Sequence, residues 1–156
     1  MGAVLVRWMM RRTHRRLCAT TGQWLEPGEQ TADVAVGNPA WTMWPCFGGA
    51  ALLLLGGVVS NLYDERLWPA LALGLAGFAC LAAPVVAVPS TVLVTTATGR
   101  VVVLEASPFR SVPRRVRGSL SAADLDPGRW FLGGRILGVA GIRLWVGSFW
   151  ARHLPA

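Results

Sequence analysis

Two long apolar runs lie close together in the chain. The first, Ala40–Val59, contains one polar side chain, Thr42, and the second, Leu67–Val88, contains no charged, hydroxyl or amide side chain. Each is about the ~20 residues that a helix needs to cross the ~30 Å hydrocarbon core of a bilayer. Only residues 60–66 separate the two runs. The pattern therefore predicts a transmembrane helical hairpin over residues 40–88, with helices at 40–60 and 67–88.

Aromatic side chains mark both ends of the predicted hairpin. Trp41 and Trp44 lie where the first helix begins, and Tyr63 and Trp68 flank the short turn. The amphipathic rings of tryptophan and tyrosine favour the two interfaces of a membrane. We therefore interpret these four residues as interface anchors.

Small residues are spaced for close contact between helices. Ala72, Ala76 and Cys80 form a row at intervals of four, and Gly56 and Ser60 form a shorter one. Such rows let helix backbones approach closely in a membrane. Two interpretations stay open: contact with another membrane protein, or packing of the two hairpin helices against each other.

Residues 1–39 are predicted to form a basic cytoplasmic segment. Over residues 1–17 a helical period places Met9 and Leu17 on one side and Arg11 on the other. This pattern fits an interfacial helix on the anionic cytoplasmic leaflet, and equally a basic extension that enforces topology.

Residues 89–156 change to the pattern of a small antiparallel β domain. The β-branched runs Thr91–Thr95 and Arg100–Glu105 flank a short turn, which predicts a β-hairpin. Val112–Leu120 is a third candidate strand, and alternation resumes from Arg135, with a bend near Gly141. Before the hairpin, only Val34 and Val36, two apart, indicate a short strand.

The segment 130–150 allows a rival interpretation as a third membrane contact, because it is largely apolar. Arg135 and Arg143 would then both lie inside the span. Each arginine costs about 2.5–3.5 kcal/mol near the centre of a membrane helix, which favours the strand interpretation.

Charge sets the expected orientation in the membrane. The formal net charge is +7, with 15 basic and 8 acidic side chains, and every basic one is arginine. Both flanks of the hairpin are cationic, whereas the short turn carries Asp64 and Glu65 against Arg66. The positive-inside rule then places both termini in the cytoplasm. The abundance of arginine, alanine, glycine and valine is typical of a GC-rich bacterial genome, so we expect a multi-pass protein of the bacterial cytoplasmic membrane.

No pattern of catalytic or metal-binding residues emerges. His14 and His153, the two histidines, lie near opposite ends of the chain, with no partner at a spacing typical of a catalytic triad or a metal site. Cys18, Cys46 and Cys80 show neither zinc spacing nor a disulfide framework. We therefore expect no cofactor, no metal and no enzymatic activity.

Two short motifs carry a resemblance to a known family. Leu25-Glu-Pro-Gly-Glu29 lies just before the first helix, and Thr98-Gly99-Arg100 forms the turn between the first two strands after the hairpin. This layout resembles bacterial membrane proteins in which a two-helix hairpin is followed by a pleckstrin-homology-like (PH-like) domain. Those proteins often show Pro-Gly-Glu before the first helix and Thr-Asp-Arg or Thr-Asn-Arg at the turn. Here Gly99 replaces the Asp or Asn and removes its side-chain cap.

The resemblance implies a fold and a general role. It implies a membrane α + β protein whose hairpin is followed by a small PH-like antiparallel β domain. The chain departs from that pattern at the final helix of the domain, which would be cut short because nine residues follow Gly147. It also implies binding or assembly and not catalysis.

The remaining feature is a basic stretch formed by Arg110, Arg114, Arg115 and Arg117. On a strand, Arg115 and Arg117 would share one face and Arg114 the other. Anionic lipid headgroups, an acidic protein partner, or a solvated cluster that only sets topology all fit this charge. Nucleic acid is not expected, because aromatic side chains do not interleave with these arginines.

The leading functional hypothesis is a non-enzymatic membrane protein that holds a small basic β domain at the cytoplasmic membrane surface, for lipid or protein binding. The alternative is an accessory subunit of a larger membrane protein complex, which it would contact through the helical hairpin.

Overall fold

The computed structural model describes residues 2–62, 67–108, 112–126 and 128–154. The chain divides into two compact units: Met1–Ala40 together with Pro89–Ala156, and Trp41–Val88. The helical hairpin is therefore inserted into the sequence of the first unit. This differs from the expected order, in which a separate segment 1–39 precedes the hairpin and the β domain begins at residue 89.

The first unit combines helices with an antiparallel sheet, so the fold class is α + β. The helices are α1 (Gly2–Thr21) and a short α4 (Ser148–Ala151). The strands are β1 (Thr31–Pro39), β2 (Ser90–Thr96), β3 (Arg100–Ala106), β4 (Pro113–Ser121), β5 (Arg129–Phe131), β6 (Gly134–Val139) and β7 (Ile142–Gly147). The described residues form one seven-stranded sheet in the order β4-β3-β2-β1-β7-β6-β5.

Strand β1 lies at the centre of this sheet. It pairs antiparallel with β2, where Val34 faces Val94 across the ladder, and with β7, where Asn38 faces Trp145. The helical hairpin follows β1 and precedes β2 in the chain. Its two ends are therefore connected to neighbouring strands of the sheet.

The inner strands are buried on both faces, which explains their continuous apolar runs. In β3, Val101 and Val103 belong to one core cluster, whereas Val102 and Leu104 belong to another. The first cluster joins β1–β3 to β6 and β7. Leu17 of α1 belongs to the second. Because successive strand residues point to opposite faces, each core receives alternate residues of the same run.

Helix α1 covers part of the sheet. The predicted helix is present and extends to Thr21, and both Leu17 and Thr21 are buried. The expected interfacial helix is therefore, at its C-terminal end, a packing element of the β domain. Trp8 and Met9, farther toward the N-terminus, remain exposed.

The segment interpreted as a possible third membrane contact forms strands instead. Residues 129–147 contain β5, β6 and β7, which pair in register with one another. Two-residue turns join them, and both turns place a non-glycine residue at positive φ, Leu132 at 47° and Ala140 at 48°, just before a glycine. Two successive residues at positive φ match the right-handed twist of antiparallel strands.

The second unit consists of helices α2 (Met43–Leu62) and α3 (Leu67–Ala87). Both are long and apolar enough to cross a membrane, over Ala40–Leu62 and Trp68–Ala87. In the most apolar stretch of 18 residues, only 17% is buried for Ala40–Leu62 and only 6% for Trp68–Ala87. The core helix of a soluble protein would be mostly buried, whereas most of this apolar surface is uncovered among the described residues.

Glycines form a close contact between α2 and α3. A Cβ atom placed on Gly49 would lie 2.6 Å from the carbonyl oxygen of Gly77, and one on Gly77 would lie 2.7 Å from that of Gly49. Farther along the antiparallel pair, Gly56 lies against the backbone of Ala70. The helix axes approach this closely only because these positions have no side chain.

The small residues singled out in the sequence divide into two groups. Gly56 is buried against α3, and Cys80 packs beside Gly49. Ser60, Ala72 and Ala76 are exposed on the outside of the hairpin, and Ser60 donates a hydrogen bond to the carbonyl of Gly57 within its own helix.

Three of the four proposed interface anchors are strongly exposed: Trp41, Trp44 and Trp68. Tyr63, the fourth, lies outside the described residues, as do the charged residues 64–66 of the turn.

Candidate functional site

Strand β4 forms one edge of the sheet and carries most of the basic stretch. Arg114, Arg115 and Arg117 are exposed, and so is Val116 between them, whereas Arg110 lies outside the described residues. Irregular pairing with β3 occurs on both sides of the Leu104–Val116 pair. Charged side chains, a proline and bulges are features that keep an edge strand from pairing with another chain.

Glu105 of β3 holds two of these arginines in place. Its Oε2 accepts hydrogen bonds from Arg115 Nη2 at 2.7 Å and from Arg117 Nε at 3.0 Å. Arg115 and Arg117 therefore share one face of the sheet, as the alternation predicted. The hydrogen bond from Arg115, with the positive charge of both arginines, holds the pKa of Glu105 below its ordinary value. With one carboxylate among three guanidinium groups, the edge strand remains a positively charged surface.

The two motifs that carry the family resemblance are in direct contact. Arg100, at the end of the Thr98–Arg100 turn, forms ion pairs with Glu26 and Glu29. Glu29 also accepts a hydrogen bond from the backbone N–H of Glu26, which closes the Pro-Gly turn on itself. The pairing attaches the loop before β1 to the turn between β2 and β3.

A second group of polar side chains lies in the same unit. His14 of α1, Asp33 of β1 and His153, just after α4, converge so that one ligand atom from each lies within 4.8 Å of the others. His14 Nε2 lies 2.7 Å from Asp33 Oδ1, and His153 Nδ1 lies 2.9 Å from Asp33 Oδ2. The carboxylate accepts both hydrogen bonds, so each histidine presents an N–H to it. We call these three residues the His-Asp-His cluster.

Aromatic rings hold the two imidazoles of the cluster. The rings of His14 and His153 are stacked with centroids 4.2 Å apart, and Trp150 and Phe149 pack around them at 5.9 Å from His14 and 5.4 Å from His153, respectively. All three cluster side chains are only partly exposed, between 20% and 35%. The cluster is thus shielded but within reach of solvent.

The electrostatics of the cluster are dominated by the paired carboxylate. Partial burial acts to raise the pKa of Asp33, but hydrogen bonds from His14 and His153 outweigh it and lower that pKa below its ordinary value. Cys18, one turn after His14, places its Sγ 3.7 Å from His14 Nε2. Burial, and then the charge of Asp33, raise the pKa of the Cys18 thiol, so it stays protonated at neutral pH.

A basic cleft of about 400 Å³ adjoins the cluster. Its lining comprises both histidines, Phe149 and three arginines, Arg11, Arg15 and Arg152. Arginines from α1 and from the C-terminal end of the chain therefore surround the exposed side of the cluster.

Sequence reasoning did not find the His-Asp-His cluster. Its members are separated by 19 residues between His14 and Asp33 and by 120 between Asp33 and His153. Two local signals were present: His14 and Cys18 lie four apart on a helix, and Asp33 is a carboxylate beside the buried Val34 and Ala35 of a central strand. Neither signal specifies a site until the strand order is known.

Comparison with known proteins gave no matching family model, no matching curated protein and no matching solved structure.

Proposed function

We propose that the protein is a non-enzymatic membrane-anchored binding protein, in which α2 and α3 span the bacterial cytoplasmic membrane and the β domain binds anionic lipid headgroups from the cytoplasmic side. The observation that carries the proposal is the joint presence of a largely uncovered apolar helix pair and an exposed arginine strand, β4, in one small chain. Arginine near an anionic leaflet contributes about 1 kcal/mol per residue.

The strand order supports a hairpin that enters and leaves the membrane on the same side. β1 and β2 are neighbours in the sheet, and the hairpin connects the end of the first to the start of the second. Two spanning helices return the chain to the side from which it started, which this pairing requires. The excess of arginine in the flanks favours the cytoplasm as that side.

The PH-like identity of the β domain is part of the proposal. It is supported by the antiparallel sheet and by the ion pairs between Arg100 and the Pro-Gly-Glu loop. The helix after β7 has four residues, which is shorter than the final helix expected of such a domain. Insertion of the hairpin after β1, ahead of the other strands, departs from the simple order of hairpin followed by domain.

The accessory-subunit alternative is favoured by one observation. Ala72 and Ala76 lie on the outside of α3, so they are not used by the contact with α2. Small exposed residues at this spacing allow another membrane helix to approach closely. This alternative predicts stoichiometric co-purification with a larger membrane protein in mild detergent, and loss of that partner on Ala76→Leu. Purification of the chain alone would reject it.

Lipid binding is best tested with the full chain, because segment 89–156 lacks β1 and α1 and so lacks the centre of its own sheet. In a background with Cys18, Cys46 and Cys80 replaced, an environment-sensitive fluorophore is placed at Val116→Cys on β4, or at Leu132→Cys near the other edge as a control. The protein is reconstituted in nanodiscs of neutral lipid or of neutral lipid mixed with phosphatidylglycerol.

We expect anionic lipid to shift the emission of the Val116 label toward that of a less polar environment, and the Leu132 label to shift less. Arg114, Arg115 and Arg117 are then replaced by Gln one after another. Each replacement should lower the ratio of membrane-bound to free β domain by roughly fivefold, the equivalent of about 1 kcal/mol. Added salt should remove the remainder, because such attraction is screened beyond about 8–10 Å. Equal emission in neutral and anionic nanodiscs would reject the lipid-binding role.

A further inference from the structure

We propose that His14, Asp33 and His153 form a binding site for one divalent transition-metal ion, with zinc as the best fit. Two imidazoles and a carboxylate are ligands that zinc accepts, and three protein ligands are the set found where a fourth position stays open to water or another small ligand. The proposal does not depend on lipid binding by β4, which lies at one edge of the sheet, whereas the cluster is attached to the central strand β1.

The separations of the donor atoms fit such a site. In a tetrahedral zinc site with bonds of about 2.0–2.2 Å, neighbouring ligand atoms lie roughly 3.3–3.6 Å apart. In the cluster, the two contacts to Asp33 are 2.7 Å and 2.9 Å, and the three ligand atoms all lie within 4.8 Å of one another. Side-chain shifts of less than about 1 Å would therefore open space for an ion among the three donors.

Each imidazole, in its neutral form, can present a free electron pair after a change of tautomer. The nitrogens that face Asp33 are Nε2 of His14 and Nδ1 of His153, and both now carry the proton of a hydrogen bond. When a metal binds there, the proton moves to Nδ1 of His14 and to Nε2 of His153, and the neutral ring coordinates through the vacated atom. The carboxylate exchanges two hydrogen bonds for one or two metal–oxygen bonds.

The surroundings hold the ligands together and also restrict affinity. The rings of His14 and His153 are stacked side by side, so each must tilt for its in-plane electron pair to point at one ion, and the packing of Trp150 and Phe149 limits that movement. Arg11, Arg15 and Arg152 in the adjoining cleft oppose a bare cation. All three ligands are therefore needed to retain the ion, and removal of any one should abolish binding.

The site would also have a structural consequence. His14 belongs to the first helix, Asp33 to the central strand, and His153 to the C-terminal end. An ion held by all three would fasten both ends of the unit to the middle of its sheet. Binding to the folded state alone raises stability in proportion to the logarithm of metal concentration above the dissociation constant.

The test uses the full chain, purified in neutral detergent without a polyhistidine tag and stripped with a chelator. Binding is followed by equilibrium dialysis against Zn²⁺ with metal analysis, and by the visible absorption of Co²⁺ as a spectroscopic substitute. The variants are His14→Gln, Asp33→Asn and His153→Gln. Asp126→Asn is the matched control, because Asp126 is an exposed carboxylate that hydrogen-bonds to a backbone N–H.

We expect the parent protein and Asp126→Asn to bind one metal per chain, to give the Co²⁺ spectrum of a four- or five-coordinate site, and to melt at a higher temperature with Zn²⁺ than without. Each of the three cluster variants should lose both the bound metal and the shift in melting temperature. Far-UV circular dichroism verifies that each variant is folded.

Two results would overturn the proposal. One is binding by the parent protein no greater than that of the triple variant His14→Gln, Asp33→Asn, His153→Gln. The other is metal binding that persists in all three single variants. A parent protein whose melting temperature does not rise with Zn²⁺ would also overturn the proposal, and this measurement needs no variant.

Discussion

The glycine contact between α2 and α3 permits a prediction with a clear sign. Gly77→Ala would place a methyl carbon 2.7 Å from the carbonyl oxygen of Gly49 and 2.9 Å from Cγ of Leu53, and Gly49→Ala would place one 2.6 Å from the carbonyl oxygen of Gly77. Ordinary contact begins near 3.4 Å, so these contacts are about 0.5–0.8 Å too short. The nearest opposing atoms are backbone carbonyl oxygens, which cannot turn away as a side chain can, so the helices must separate. Overpacking of this kind costs about 1–3 kcal/mol.

Two neighbouring glycines supply matched controls on the same helices. A Cβ atom on Gly48 or on Gly74 would meet nothing within 4 Å. At these positions, Gly→Ala should stabilise the helix by about 0.5–1 kcal/mol, because alanine loses less backbone entropy. The two pairs of variants are therefore expected to change stability in opposite directions, although the chemical change is the same.

The assay is unfolding of the full chain from mild detergent by increasing fractions of sodium dodecyl sulfate, followed by far-UV circular dichroism. Gly49→Ala and Gly77→Ala should unfold at a lower fraction than the parent chain, and Gly48→Ala and Gly74→Ala at an equal or higher one. If all four variants behave alike, α2 and α3 do not pack through Gly49 and Gly77.

Three further predictions concern the β domain. Leu17→Ala should destabilise it by about 2–5 kcal/mol, because Leu17 is buried in the core, whereas Met9→Ala on the exposed part of α1 should be close to neutral in thermal unfolding. Val102→Asp should prevent folding of the domain and so remove its protease resistance, because it buries an unpaired charge. Val116→Asp, at an exposed position of β4, is the control and should keep the protease resistance of the parent chain. Glu105→Gln should increase the shift that anionic nanodiscs cause in the emission of the Val116 label, because it frees two arginines. Lowering the pH of the parent protein through the depressed pKa of Glu105 should act in the same direction, and no change in either experiment would argue against β4 as the contact surface.

Much of the secondary structure could be predicted from sequence because it depends on local pattern. The helical hairpin of α2 and α3 follows from the length of two apolar runs. The β-hairpin of β2 and β3 follows from β-branched residues around Gly99, which adopts a φ of 77°. The central strand β1 was indicated only by Val34 and Val36. Its pairing with β2 joins residues separated by the whole inserted hairpin, and local periodicity carries no information about such distant partners.

The same limit explains the candidate sites. The charge of β4 is visible in sequence because its arginines are close together, but the role of Glu105 in holding Arg115 and Arg117 depends on strand register. The His-Asp-His cluster depends on three elements from both ends of the chain. Spacing rules for metal sites describe ligands on one helix or loop, and they do not apply to a site assembled by strand order.

The central claim is that the chain crosses the membrane twice and keeps its β domain on the cytoplasmic side, and cysteine labelling in intact cells tests it most directly. In a background with the three native cysteines replaced, single cysteines are introduced at Asn61, near the end of α2, and at Arg117 on β4, and a membrane-impermeant maleimide is added from outside. The account predicts labelling of Asn61→Cys in intact cells and of Arg117→Cys only after the cells are opened. Labelling of Arg117→Cys in intact cells, or recovery of the protein in the soluble fraction, would contradict it.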